Sequence, residues 1–179
     1  TLEKLEDFFA NVPNAEIISH RNNEHLGGFL RTVQKEMKSE FVVFLDSDCT
    51  FDPKLILDMV DIRLDGVDVI NGSPYHPKGV IDGVKPSRLI ISKTANNLYR
   101  KLVTKNVFTY TSIFKMYRTS KIENIDIQFD DVVAVTELFI KTIKQGSTIV
   151  EFPATLSIRE TGESKIRILQ STVNHIKLM

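Results

Sequence analysis

The chain has 179 residues, 42% hydrophobic and 26% charged, which suits one domain with a real core and excludes two ordinary ones. Lysine plus arginine and aspartate plus glutamate both number 23, so no net field favours nucleic acid, and any anion site has to be built locally. Cys49 is the single cysteine, which excludes an intrachain disulfide and a multi-cysteine zinc site and fits a reducing compartment. No run approaches the roughly 20 apolar residues that cross a bilayer, and no basic stretch followed by an apolar one marks a leader.

In chain order, residues 1–10 place Leu2, Leu5, Phe8 and Phe9 on one side of an amphipathic helix. Residues 16–18 form a short β-type run, followed by helical spacing over 28–37. A second β-type run, 41–45, is rich in Val and Phe. The next helix, 53–63, starts directly after it, because Asp52 is a capping residue and Pro53 is tolerated in a first turn. A strand is expected at 67–70, helices at 87–103 and 132–145, and a strand at 148–152, with Gly146 closing the helix before it. Such alternation implies an α/β layer fold with a mostly parallel sheet, spanning 1–179 as one domain. In these sheets ligands bind outside the carboxyl ends of the strands. Residues 166–179 mix apolar positions with Arg167, His175 and Lys177, a pattern that suits an interfacial helix and a packed surface helix equally.

The strand at 41–45 runs into Asp46-Ser47-Asp48, two carboxylates two residues apart at a strand end. In extended chain they share a face. Mg²⁺ or Mn²⁺ takes one or two carboxylates and completes its shell with phosphate oxygens and water, so a nucleotide diphosphate is a natural third party. The alternative is that Asp46 and Asp48 merely end a strand. A calcium loop is excluded, because Phe51 replaces its obligatory glycine and Leu57 its bidentate glutamate. Cys49 reads as a packed thiol.

Further segments resemble the family 2 glycosyltransferases that load sugars onto polyprenyl phosphates. Asn22 to Gly28 resembles the Asn-x-Gly segment before a helix, and Phe41 through Pro53 the "VVFLDADLQHPP" stretch. Gly72-Ser73-Pro74-Tyr75 resembles "GSRY", Ser87 to Ser92 "SRRLIS", and Thr111 to Tyr117 "TSGFRAY". Glu137-Leu138 through Gly146 is similar to the "ELL" helix, Glu151-Phe152-Pro153 to "EVP", and Arg159 to Lys165 to "R-x-x-G-x-SK".

The resemblance implies a GT-A fold in which the opening nucleotide-binding strands, with "P-x-Y-N-E" and "DDGS", are expected before Thr1. It implies inverting transfer of a hexose, mannose from GDP-mannose before glucose from UDP-glucose, to a polyprenyl or dolichyl phosphate. It assigns Asp46 and Asp48 to the metal and the sugar donor's diphosphate. Arg88, Arg159, Ser164 and Lys165 become phosphate contacts, and Ser112 and Tyr117 either walls of the sugar pocket or core. The enzyme is expected at the cytoplasmic face of a membrane. Departures from the family pattern fall at Thr50, Pro74, Thr109, Ile113 and Lys115. Two rivals remain: a glycan-extending family 2 enzyme with Asp130-Asp131 supplying a general base, and a non-catalytic sugar-nucleotide-binding subunit, suggested by Pro74, Thr109 and the absent start.

Overall fold

A computed structural model describes residues 2–62, 66–158 and 168–179. The amphipathic start forms α1 (Leu2–Phe9), and α2 (His25–Glu36) leads into β1 (Phe41–Phe44). The strand–helix unit α3 (Leu55–Ile62) and β2 (Val69–Ser73) follows, then the two-residue β3 (Val80–Ile81) and α4 (Pro86–Leu102). A long loop enters β4 (Lys115–Arg118), after which come α5 (Val133–Lys144), β5 (Ile149–Pro153), β6 (Thr155–Leu156) and α6 (Ile168–Leu178).

The main sheet has the order β1-β4-β2-β5, while β3 and β6 pair separately. β4 runs antiparallel to both β1 and β2, and β2 is parallel to β5. Three of the four strands therefore point one way, as a mostly parallel sheet requires, but the reversed β4 between them makes the pairings mixed. Alternation along the strands feeds two cores. Val42, Phe44, Val69 and Tyr117 pack with residues of α2, α4 and α5, whereas Val43, Ile70, Met116 and Phe152 pack with Met59 of α3. Each large apolar side chain fully buried there contributes about 1.5–3 kcal/mol.

Two glycines are needed where they stand. Gly146 has φ of 81° and ends α5, as its place in the sequence predicts. Gly27 lets α2 approach the 129–130 segment: its N–H donates to the Asp130 carbonyl at 2.8 Å, and a Cβ there would lie 2.2 Å from the Phe129 carbonyl oxygen. The expected strand at 16–18 does not form. No described strand lies beside it to accept its backbone bonds, and β-type residues without a ladder partner remain coil.

Candidate active site

Past Phe44 the chain leaves the ladder, and Asp46 reaches the wall of a cleft of about 220 Å³ beside the carboxyl ends of β1 and β2. The turn that follows is built around Asp48. Its Oδ1 accepts from the Thr50 amide at 3.1 Å and the Thr50 hydroxyl at 2.9 Å, an Asx-type turn that ties the carboxylate to its own backbone. Thr50, a departure from the family pattern, thus orients Asp48. Cys49, at the apex with φ of 57°, is exposed and not the packed thiol expected, because the tight reversal turns it outward. Two anchors hold the turn down: the Ser157 N–H donates to the Thr50 carbonyl at 2.9 Å, and Phe51 stacks on Phe114 at 5.0 Å between ring centroids. Asp52 accepts from the Lys54 amide at 2.9 Å and starts α3, as its pairing with Pro53 implies.

Pro74 and Tyr75, just beyond β2, and Ser92 on α4 form a second wall. Burial pushes the Tyr75 phenol above its usual value, and a hydrogen bond with Ser92 offsets part of that. The third wall is the irregular segment carrying Thr109, Thr111, Ser112 and Ile113, with Leu156 completing the cleft. Buried irregular backbone has to find side-chain partners. Glu151 Oε1 accepts from the Phe108 amide at 3.2 Å, and Asn71 Nδ2 donates to the Thr109 carbonyl at 2.8 Å. Asn96 Oδ1 accepts from the amides of Tyr110 at 2.6 Å and Thr111 at 3.4 Å. The Ser73 and Thr109 hydroxyls are 2.7 Å apart. Leaving any one of these buried groups unpaired would cost about 1–3 kcal/mol.

Sequence reasoning passed over Asn71 and Asn96 and read Glu151 only as part of a motif. The available signal was polar residues at core positions: Asn71 ends an apolar run, and Asn96 shares a helix face with Ser92 and Tyr99.

Of the residues singled out in the sequence, Asp46 and Ser112 line the cleft, and Asp48 lies in the turn between Asp46 and Thr50. Arg88 is exposed on the first turn of α4, one turn before Ser92, and outside the cleft wall. Of the two readings open for Tyr117, pocket wall or core, the structure shows core: residues 115–118 form a strand, and Tyr117, 1% exposed, packs against Phe44 and Phe139. Arg159, Ser164 and Lys165 lie outside the described residues. Asp130 pairs with Arg31 at 2.5 Å. Asp131 accepts from the Val133 amide at 3.0 Å and from Ser171 and Asn174 of α6 at 3.2 and 3.1 Å. Among the described residues no group of three or more His, Cys, Asp or Glu is assembled for a metal. Two carboxylates such as Asp46 and Asp48 have the chemistry that suits a hard cation taking its other ligands from phosphate and water.

Comparison with known proteins bears directly on this arrangement. The family model described as Glycosyl transferase family 2 matches residues 1–126. The chain belongs to that family. Similar proteins include polyprenol monophosphomannose synthase of Mycolicibacterium smegmatis, 31% identical over 128 residues that cover 70% of this chain and 48% of that one. Dolichol-phosphate mannosyltransferase of Pyrococcus furiosus is 26% identical over 169 residues, covering 93% and 47%. The family 2 chain thus spans about half the length of these relatives. Among solved structures, glucosyl-3-phosphoglycerate synthase from Mycobacterium tuberculosis in complex with Mn²⁺ and UDP-glucose matches with TM-score 0.61 and 13% identity, covering 93% of this chain and 55% of that one. That likeness is one of fold, and the fold is of the GT-A glycosyltransferase type.

Proposed function

We propose that this chain forms the acceptor-facing part of an enzyme that moves a hexose from a nucleotide diphosphate sugar to a polyprenyl or dolichyl phosphate with inversion. Mannose from GDP-mannose is favoured over glucose from UDP-glucose. The observation that carries the reading is the position of Asp46 in a small cleft at the strand ends, with the hydroxyl-bearing Thr109–Ser112 wall also lining it. A volume of about 220 Å³ is below the ~300–1,000 Å³ of drug-sized pockets and suits one sugar ring or phosphate. The names of the relatives support the lipid-phosphate acceptor and mannose.

Asp46 and Asp48 would hold Mg²⁺ or Mn²⁺, which when bound supplies Lewis-acid stabilisation of the leaving diphosphate. A phosphate monoester is doubly ionised above its second pKa of about 6, so the attacking oxygen needs no strong base. Positioning and electrostatics therefore dominate. The structure fits that economy: Asp130 is paired with Arg31, and Asp131 is engaged in capping α5 and tethering α6. Asp131 is thus occupied by structural bonds, which counts against it as a general base for a glycan hydroxyl in the glycan-extending rival. Arg88, and Arg159, Ser164 and Lys165 beyond the described residues, remain the proposed phosphate contacts.

The membrane reading, at the cytoplasmic face, draws on α6. Among the described residues no helix is long and apolar enough to cross a bilayer. α6 is tethered by polar residues, Ser171 and Asn174 to Asp131 and His175 to Tyr99, while Leu169, Val173 and Ile176 face outward. α4 exposes Ile90, Ile91, Leu98 and Leu102, and neither helix contains an acidic residue. An apolar face with cations and no anions suits an anionic lipid surface.

The test is transfer by the enzyme with membranes, Mg²⁺ or Mn²⁺ and radiolabelled nucleotide sugars. Label in the lipid extract supports the reading, label confined to water-soluble glycan overturns it, and metal-dependent binding without turnover makes the chain a binding subunit. Asp48→Ala should reduce metal-dependent transfer at least about 100-fold, as losing a key electrostatic stabiliser does. Unaltered turnover would remove Asp48 from the mechanism.

A further inference from the structure

Lys115 is a lysine buried in the core at 0% exposure, in the first position of β4. Its cross-strand neighbour on β2 is Asn71, whose own neighbour on β5 is Glu151, so the three side chains form a polar row on one face of the sheet. The ammonium lies over the Phe139 ring, 4.7 Å from its centroid, and donates to the Ser112 carbonyl, with the Tyr110 carbonyl at 3.5 Å. An ammonium without good partners does not survive in such a place. It is spent on backbone carbonyls of the segment that walls the cleft.

The consequence follows from peptide geometry. In a planar trans peptide the C=O of one residue and the N–H of the next point in opposite directions, and the described residues contain no cis peptide. With the Ser112 carbonyl drawn down to Lys115, the Ile113 N–H turns away from the core. Ser112 and Ile113 both line the cleft, and the Ile113 N–H meets no acceptor among the described residues. The Ser112 hydroxyl beside it already accepts from the Phe114 amide at 3.1 Å, which leaves its own proton to donate.

We propose that Lys115 is a positioning residue that turns the Ser112–Ile113 peptide so that its N–H, backed by the buried positive charge, meets a phosphate oxygen of a substrate in the cleft. The shared chemistry is an anionic phosphate oxygen, belonging either to the diphosphate of the sugar donor or to the acceptor monophosphate. This rests on the proposed transferase reading for its substrates, but not for its geometry.

The buried charge is also responsive. Desolvation pulls the Lys115 ammonium down to about 7, with Glu151 acting in the opposite direction. The other titratable or charged groups around it are the Tyr110 and Tyr117 phenols, both pushed up by burial and neutral, and Arg100 of α4, which acts on Tyr110. As pH rises through about 7, the wild type therefore loses the charge behind the peptide, whereas a guanidinium at the same position keeps it.

The experiment measures kcat and KM for sugar donor and lipid phosphate separately in wild type, Lys115→Met and Lys115→Arg, between pH 6 and 9. In Lys115→Met, kcat/KM should fall about tenfold or more for one phosphate-bearing substrate, and the substrate affected tells which phosphate is bound. Lys115→Arg should restore it and flatten the alkaline rise in KM expected of the wild type. A folded Met variant with less than a twofold change for both substrates overturns the proposal. If Lys115→Met does not fold, the comparison of pH profiles decides alone, and identical wild-type and Arg profiles overturn it. If the wild type transfers no sugar to lipid, the functional reading fails, and Lys115 is tested by calorimetric titration of inorganic phosphate and pyrophosphate: binding unchanged across all three chains refutes its role.

Discussion

Glu137 offers a quantitative check on how buried polar groups hold this fold. It is 1% exposed on α5 and faces the chain entering that helix. Oε2 accepts from the amides of Gln128 at 2.9 Å and Phe129 at 3.0 Å, while Oε1 takes Lys141 Nζ at 2.6 Å and a second, longer contact from the Gln128 amide at 3.1 Å. Glu137→Ala leaves both amides without their acceptor, at about 1–3 kcal/mol each. Lys141 is less affected, since it is 32% exposed and also donates to the Asp126 carbonyl at 2.6 Å. With the lost side-chain volume, the total should be about 3–5 kcal/mol. Glu137→Gln behaves differently: its one carbonyl oxygen, placed where Oε2 stands, keeps both amides, and Lys141 swings to solvent, so about 1 kcal/mol is expected. Urea unfolding followed by circular dichroism reads the difference. At a slope of about 2 kcal/mol/M, the Ala variant should unfold roughly 2 M earlier and the Gln variant about 0.5 M earlier. Equal losses in the two variants, or less than about 1 kcal/mol for Ala, would refute the claim that Oε2 carries the interaction.

Two further outcomes concern α6. Burial holds the His175 imidazole below its usual 6.5, with Asp131 opposing, and its Nδ1 lies 2.8 Å from the Tyr99 hydroxyl. Because the folded value is depressed, the unfolded state takes up the proton first as pH falls below 6.5, so the stability present above that value is lost in acid. Protection factors of the amides in residues 168–178, corrected for the intrinsic slowing of exchange in acid, should fall between about pH 7.5 and about pH 5, and His175→Gln should remove most of that dependence. The outward face of α6 predicts that Leu169→Glu with Ile176→Glu weakens sedimentation with anionic phosphatidylglycerol vesicles at least about fivefold at unchanged melting temperature. Equal sedimentation of both forms would detach α6 from the lipid reading.

Much of this protein can be read from its order of residues, because the features concerned are local. The periodicities of α1 through α6, the runs that become β1, β2 and β5, the start of α3 at Asp52-Pro53 and the stop at Gly146 all arise from neighbours in sequence. The acidic pair at a strand end is equally local, and the family resemblance adds the chemistry expected of it. Pairing is not local. Residues 16–18 have strand-forming composition and no ladder, whereas Lys115–Arg118, with a cation at each end, becomes β4 because strands on both sides of it bond to it. The same distinction separates Ser112 from Tyr117, which lie five residues apart and which the sequence treated together. One lines the cleft before the strand begins, and the other points into the core from within it. Only tertiary contact could reveal that Asn71, Asn96, Lys115 and Glu151, scattered between positions 71 and 151 on β2, α4, β4 and β5, converge on one buried loop. An irregular backbone removed from water takes its hydrogen bonds from whatever side chains the fold brings near, and sequence distance carries no information about which those are.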